Sequence, residues 1–279
     1  KNFISFISFI SIGGIALGMM TMIVVLSVMN GFQNQVREHY LAMANDISIQ
    51  TQNTQNFIQD WKSTAHSIQT LPNVEATAPF NNGEGLLAAN GEFVAVKIQG
   101  IDPNHEADVS SISEKITADF ITPADFSILK EGEFGTILGS DLAINLGLNV
   151  GDYVTLITPK IQITAAGAIP RMKRLKVVGV FQLGQYEYDS VMAIMNYQDS
   201  GRIYQVPKQS VSGISIKLAD PFTARETAEA IQAKLGDEYR TLTWIEEFKT
   251  LFKMIEIEKL TMFTIMSLIV AVAVFNVVS

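Results

Sequence analysis

An uninterrupted apolar stretch near the start of the chain constrains everything that follows. No charged side chain lies between Lys1 and Arg37, and residues 3–32 are almost all apolar or small. A helix needs about 20 apolar residues to cross about 30 Å of hydrocarbon. A cleaved secretory signal has a shorter apolar core, whereas this stretch closes on bulky Met29 and Phe32. A helix buried in a soluble core is also shorter. The stretch is therefore predicted to be a transmembrane helix.

A second apolar stretch occupies residues 260–279, where no charged side chain follows Lys259. It is predicted to be a second membrane helix, which places the polar middle of the chain on one side of the membrane. Because proteins rarely end inside an uncapped apolar helix, we expect further sequence beyond Ser279.

Composition excludes several classes of function. The formal net charge of −8 offers no broad basic face for nucleic acid. The chain has no cysteine, which excludes disulfides and thiolate metal sites. The histidines lack metal-site spacing, and no GxSxG elbow or Walker A loop occurs. Catalysis is not indicated, so the function is expected to be binding, transport or force transmission.

Between the two apolar stretches, hydrophobic patterning predicts an α+β domain. A strand–helix–strand order appears over residues 46–79 and again over residues 211–244. Two such units pairing in one sheet would make a ferredoxin-like core, with a β-rich second lobe inserted between them. The expected divisions are a first transmembrane helix at 1–32, a stalk helix at 33–44, core at 45–111, the inserted lobe at 112–205, core at 206–243, a second stalk helix at 244–259 and a truncated second transmembrane helix at 260–279.

Two features of this layout are candidates for contacts with other molecules. Gly14 and Gly18 form a GxxxG pair that would let another helix pack closely, although ordinary glycine tolerance in a membrane helix is the alternative. The connection 159–170 is long for a hairpin, is apolar in its middle and precedes a basic stretch. An exposed apolar loop is costly unless a partner covers it. The alternative for this segment is a floppy hairpin beside a solvated basic strand.

Two motifs resemble a known family. The run Ile15-Ala16-Leu17-Gly18, followed by residues 24–32, is similar to the first membrane helix of the lipoprotein-releasing permeases LolC, LolE and LolF. Glu258-Lys259, Met262-Phe263 and residues 268–279 resemble the start of their second helix. The likeness covers the whole chain.

The resemblance implies a role in a bacterial inner membrane. The chain would be a non-catalytic, multi-pass permease subunit of an ABC transporter, with a large periplasmic domain built on a porter-type core. The transporter would extract triacylated lipoproteins and pass them to a periplasmic carrier for outer-membrane sorting. The implied partners are a LolD-like ATPase that binds ATP and magnesium, an identical or paralogous second permease half, and a LolA-like carrier. No cofactor is expected on this chain.

The resemblance also implies two sets of contact residues. Residues 164–170 lie where the LolC type has a protruding loop, the hook, that catches the carrier; the LolE type lacks it, so the LolC or LolF type is favoured. The expected carrier contacts are Pro159, Ile161, Ile163, Ala166, Gly167, Ile169, Pro170, Arg171, Lys173 and Arg174. The expected lipoprotein contacts on the first helix are Met19, Met22, Ile23, Leu26 and Met29.

Three alternatives stay open at this point. A related ABC exporter or a cell-division permease-like protein would share the architecture without the hook. A transmembrane sensor would also carry a soluble domain between two spans, followed by a signalling module. An extracytoplasmic hydrolase is disfavoured by the missing nucleophile motifs.

Overall fold

Contacts divide the chain into two units, Lys1–Tyr40 with Ile245–Ser279, and Leu41–Trp244. The described positions between 13 and 31 are helical, whereas the predicted stalk at 33–44 lies outside the described residues. In the described part of the chain, no helix is both long enough and apolar enough to cross a membrane. The computed structural model describes residues 13, 16, 18–21, 23–28, 31, 45–53, 56–119, 121–164 and 167–278.

Helices and strands alternate irregularly along the chain. The helices are α1 (Trp61–Gln69), α2 (Glu106–Val109), α3 (Ser140–Asn145), α4 (Tyr186–Asp189), α5 (Tyr197–Tyr204), α6 (Ala224–Leu235), α7 (Trp244–Glu247) and α8 (Lys249–Val278). The strands are β1 (Ile47–Thr51), β2 (Ile58–Gln59), β3 (Val74–Ala89), β4 (Glu92–Ile101), β5 (Ile116–Thr117), β6 (Gly135–Gly139), β7 (Tyr153–Thr164), β8 (Gly167–Phe181), β9 (Met192–Asn196), β10 (Ser210–Val211), β11 (Gly213–Leu218) and β12 (Tyr239–Thr243).

Four strands in the order β12–β1–β11–β3 form an antiparallel layer that carries helices α1 and α6. On β1, Ile47 and Ile49 are buried and alternate with less buried polar residues. Helix α1 buries Trp61, Ala65 and Ile68, which the helical period places on one face. The two predicted strand–helix–strand segments are confirmed as β1, α1 and β3, and as β11, α6 and β12.

Six strands close into a barrel. Strand β3 pairs with β4, β4 with β9, β9 with β6, β6 with β8, β8 with β7, and β7 pairs back with β3. Closure leaves no unpaired edge along this circuit. Each of the six strands contributes buried apolar side chains to one interior cluster, among them Leu87, Val96, Leu138, Leu156, Leu175 and Ala193.

Strand β3 belongs to both the layer and the barrel. Its residues 74–80 pair with β11, whereas residues 86–88 of the same edge pair with β7. Gly83 and Gly85 lie where the partner changes. A Cβ on Gly83 would overlap the ring of Tyr204, and a Cβ on Gly85 would lie 2.7 Å from the backbone oxygen of Ile157. Glycine therefore permits the close approach that lets one strand serve both substructures.

Strands β6 and β9 are buried on both faces. Leu138 and Ala193 point into the barrel, whereas their neighbours Ile137 and Ile194 belong to a second apolar cluster on the outside. Residues of the segment between β4 and β6, including Phe126, complete that outer cluster. A strand covered on both faces is buried at successive positions, and β6 is buried at all five of its residues.

Helix α2, which packs on β3 and β11, carries a buried carboxyl group. The Glu106 side chain is 1% exposed, and its Oε2 has no hydrogen-bond partner among the described residues. Burial, and to a lesser degree the negative charge of Asp102, raises the pKa of Glu106 to about 8. The folded chain therefore holds a proton here at pH values where an unfolded glutamate has released it.

Because the pKa of Glu106 is raised in the folded chain, we expect the free energy of unfolding to fall as the pH rises. The unfolded side chain loses its proton near the ordinary pKa of 4.5 and the folded one near 8, so the unfolded state is favoured progressively between these values. The slope is about 1.4 kcal/mol per pH unit. We expect Glu106→Gln to remove it, measured by urea unfolding followed through Trp61 and Trp244, both buried. The same substitution at exposed Glu114 is the control; an unchanged slope in Glu106→Gln would contradict the assignment.

Candidate functional site

The segment expected as a long loop is paired β-structure. Strands β7 and β8 pair continuously to Thr164↔Gly167, apart from a register shift between Thr158 and Ile161. Pairing of β7 with β3 ends at Ile157. Within the described residues, the part beyond that point, 159–170, therefore pairs only with itself, and we call it the ribbon. Proline has no N–H to donate, and Pro159 lies at the register shift, where no ladder bond is required of it.

Only some of the predicted carrier contacts can be described in the ribbon. Pro159, Gly167 and Pro170 are exposed, whereas Ala166 lies outside the described residues. Gly167 has a φ of +118°, a conformation that glycine adopts without strain. Three further predicted contacts pair through their backbones in the ribbon: Ile161, Ile163 and Ile169.

Two cations fasten the base of the ribbon to the end of helix α5. The Lys160 Nζ donates to the backbone oxygen of Tyr204 at 2.5 Å, and the Arg171 guanidinium donates to that of Arg202 at 3.2 Å. The last carbonyl groups of a helix have no partner within the helix and carry partial negative charge, so they attract cations. The ribbon therefore leaves the barrel from a fixed base.

Helix α5 is in turn fixed to β3 through Tyr204. Its ring lies against Gly83, and its hydroxyl donates to the backbone oxygen of Glu84 at 3.0 Å. Burial raises the pKa of Tyr204, so the phenol stays protonated and remains a donor. Sequence reasoning missed Tyr204, because nothing in the pattern around it reveals a contact with a glycine more than a hundred residues earlier.

The three predicted basic residues do not form one cluster. Arg171 and Lys173 have the same parity on β8 as buried Leu175, whereas Arg174 lies on the opposite face and is exposed. The Lys173 Nζ lies 3.4 Å from the centroid of the Phe134 ring, and the Arg174 guanidinium lies 4.0 Å from that of Tyr153. Cation–π contacts position these charges without neutralising them.

A buried carboxylate positions the aromatic ring under Lys173. Asp199 of α5 is fully buried and accepts backbone N–H groups from Gly132 and Phe134, at 2.9 Å and 3.1 Å. It also accepts from the Arg202 guanidinium at 2.7 Å. Asp199 thus connects the loop before β6 to α5 by hydrogen bonds. The end of the same helix binds the base of the ribbon.

An apolar groove lies at the root of the ribbon, with a volume of about 610 Å³. Pro159 and Pro170 line it from the ribbon, and Leu86, Ala95 and Ile157 line it from three strands of the barrel. We call it the root groove. Of the residues that line this groove, only the two prolines are candidate contacts predicted from the sequence. Leu86, Ala95 and Ile157 come from separate strands and share no local sequence pattern.

The predicted lipoprotein contacts fall in the other unit. Met19 and Ile23 are helical and 54% and 66% exposed, and Leu26 is half-buried. Met22 and Met29 lie outside the described residues, as does Gly14. A Cβ on Gly18 would meet no described atom within 4 Å. In the described part of the chain, no group of three or more acidic, histidine or cysteine side chains is arranged to hold a metal ion.

The packing of Tyr204 on Gly83 predicts a penalty for any added side chain. We expect Gly83→Ala to lower the free energy of unfolding by about 2 kcal/mol, because the new methyl group overlaps the Tyr204 ring. In a Tyr204→Ala background the same change meets no ring and costs much less. Urea unfolding of the four proteins measures the difference. Equal penalties in both backgrounds would show that the ring is not the cause.

Known proteins resemble this chain over most or all of its length. A family model described as MacB-like periplasmic core domain matches residues 8–234. The lipoprotein-releasing system transmembrane protein LolC of Neisseria meningitidis serogroup B is 40% identical over 284 residues, covering 100% of this chain and 66% of that protein. LolC of Xylella fastidiosa is 36% identical over 279 residues, covering 100% and 65%.

A solved structure, the periplasmic region of MacB from Actinobacillus actinomycetemcomitans, gives a TM-score of 0.49 at 13% identity, covering 76% of this chain and 94% of that one. The chain spans just under two thirds of the length of the curated relatives described above. It belongs to the MacB-like periplasmic core domain family, and over its whole length it is similar to lipoprotein-releasing system transmembrane proteins.

Proposed function

We propose that the chain is part of one permease half of an ABC transporter that extracts lipoproteins from the inner membrane and passes them to a periplasmic carrier. The observation that carries this proposal is the 40% identity to a LolC protein across the whole of this chain. ATP and magnesium would bind to a separate LolD-like ATPase, and a second permease half, identical or paralogous, would complete the transporter.

In the proposed arrangement, residues 1–32 and 260–279 are two helices that cross the inner membrane. They flank the periplasmic domain in the sequence. The apolar composition of both stretches supports it. We propose further that the four-stranded layer is a ferredoxin-like, porter-type core. Its strand order β12–β1–β11–β3, antiparallel throughout, is the order that two interlocked strand–helix–strand units produce, and this supports the assignment.

The ribbon is the proposed capture point for a LolA-like carrier. Its backbone pairs with no other strand in the described part of the chain, so its edges can meet a partner. Lys160 and Arg171 hold its base to α5, which reduces the conformational freedom that binding would otherwise remove. Arg174 adds an exposed charge for an acidic partner, held in place by Tyr153.

Deleting Ile163–Ile169 tests carrier capture. We expect the shortened protein, assembled with its ATPase and second half, to lose pull-down of a LolA-like carrier and to keep its ATPase activity. The barrel pairings lie outside the deleted segment, so the fold is retained. Ile121→Ser, at an apolar residue that is 84% exposed on another loop, is the control. Undiminished pull-down after the deletion would rule out the ribbon as the capture point.

The outer half of the first helix is the proposed surface for the lipoprotein, through Met19, Met22, Ile23, Leu26 and Met29. Flexible thioethers adapt to acyl chains of different lengths. We expect Leu26→Asp to stop lipoprotein release from spheroplasts, because a carboxylate in an acyl-binding surface costs about 3 kcal/mol. Leu26→Met is the control, and membrane levels of both variants are measured. Normal release by Leu26→Asp at normal levels would disprove this role.

A further inference from the structure

One row of apolar side chains crosses four strands on the outside of the barrel. Leu86 on β3 lies opposite Ala95 on β4 and, across its other edge, opposite Ile157 on β7. Ile157 lies opposite Met172 on β8. Residues directly opposed on neighbouring strands point to the same face of a sheet, so the four side chains are contiguous. Ala95, Leu86 and Met172 are exposed, and Ile157 is half-buried.

The ribbon converts part of this row into the root groove. Pro159 and Pro170 line one side, whereas Leu86, Ala95 and Ile157 form the floor. The volume of about 610 Å³ lies within the range of about 300–1,000 Å³ that is common for small-ligand sites. None of these five side chains carries a hydrogen-bond donor or acceptor. The groove therefore suits a ligand that needs no polar partner.

The polar members of the groove lie beside its floor. Glu84 and Lys97 are directly opposed in the row next to Leu86 and Ala95, and both are exposed. Thr158, which is buried, donates its hydroxyl to the backbone oxygen of Arg171 at 3.3 Å. The groove thus has an apolar floor with a charged pair along one margin, which is the layout expected for a ligand with an apolar body and a polar end.

We propose that the root groove binds a fatty-acyl chain. The inference rests on the proposed function, in which the cargo carries acyl chains and the adjoining ribbon captures the carrier. Each methylene group removed from water adds to the binding free energy, so an acyl chain that lies along the floor gains from every methylene group it buries. A folded protein partner generally covers about 800 Å² of each surface, whereas this groove is confined between the ribbon and the barrel.

An acyl chain in the root groove would contact the ribbon, which is also the proposed carrier site. Pro159 and Pro170 both line the groove and begin and end the ribbon. The groove would hold a chain that has left the membrane and present it at the base of the ribbon. The chain has two possible sources, the lipoprotein itself or a membrane phospholipid, and they differ in what is attached to the acyl group.

Photocrosslinking from the groove floor tests the proposal. Leu86→benzoylphenylalanine is introduced into the full-length protein, assembled with its ATPase and second half in lipid nanodiscs. One arm supplies a synthetic triacylated cysteinyl peptide with a radiolabelled palmitoyl chain, and the other supplies nanodisc phosphatidylethanolamine with the same label. The matched control is Phe93→benzoylphenylalanine, because Phe93 is 64% exposed on β4 and does not line the groove.

We expect label on the Leu86 derivative at about ten times the level of the Phe93 derivative, a ratio that corresponds to about 1.4 kcal/mol of preferential binding. Labelling by the lipopeptide identifies the cargo as the source, and labelling only by the phospholipid supports an acyl site filled from the membrane. Ala95→Trp in the Leu86 derivative fills the groove without adding charge and should reduce labelling several-fold.

Equal labelling from both positions, or labelling unaffected by Ala95→Trp, would overturn the proposal. A second result would also overturn it. If Leu86→Glu abolished carrier pull-down while Ala95→Trp left acyl labelling of the Leu86 derivative unchanged, the groove would be a carrier surface. Labelling does not depend on turnover. A transporter that is labelled in the groove but releases no lipoprotein would contradict the proposed function and leave the acyl site intact.

Discussion

The fold depends on one strand that serves two substructures. Strand β3 completes the four-stranded layer with its first half and closes the barrel with its second, changing its partner on one edge from β11 to β7. The change requires close approach of a ring and of a neighbouring backbone, which Gly83 and Gly85 permit. Because β3 is continuous, the barrel is held to the layer by an unbroken ladder rather than by a linker. This continuity gives the ribbon a fixed origin.

The candidate site follows from that continuity through a short series of contacts. Tyr204 lies at the end of α5 and packs on Gly83 of β3. The carbonyl groups at that end of α5 accept hydrogen bonds from Lys160 in the ribbon and from Arg171 just beyond it. The same ribbon covers one side of an apolar groove on the outside of the barrel. The ribbon and the groove are thus supported by one series of contacts that runs from β3 through α5.

Local patterning predicted the elements better than their arrangement. The strand–helix–strand segments have signals within a few residues of chain, and the structure confirms them. The barrel has no such signal, because its closure joins β3 to β7 across some seventy positions of chain. The ribbon was expected as a loop, since two prolines and small residues weaken strand patterning. Its pairing is decided by β7 and β8, which are already aligned in the barrel.

The sequence by itself determined the family of this protein, through motifs that do not depend on packing, and it determined the α+β class, through periodicity. It also indicated residues 159–170 as a candidate binding element. Only the tertiary structure decided that these residues form a paired ribbon with a fixed base, that the basic side chains point to two faces, and that an apolar groove lies beneath. The physical reason is that Leu86, Ala95 and Ile157 come from three strands and become neighbours only when the barrel closes.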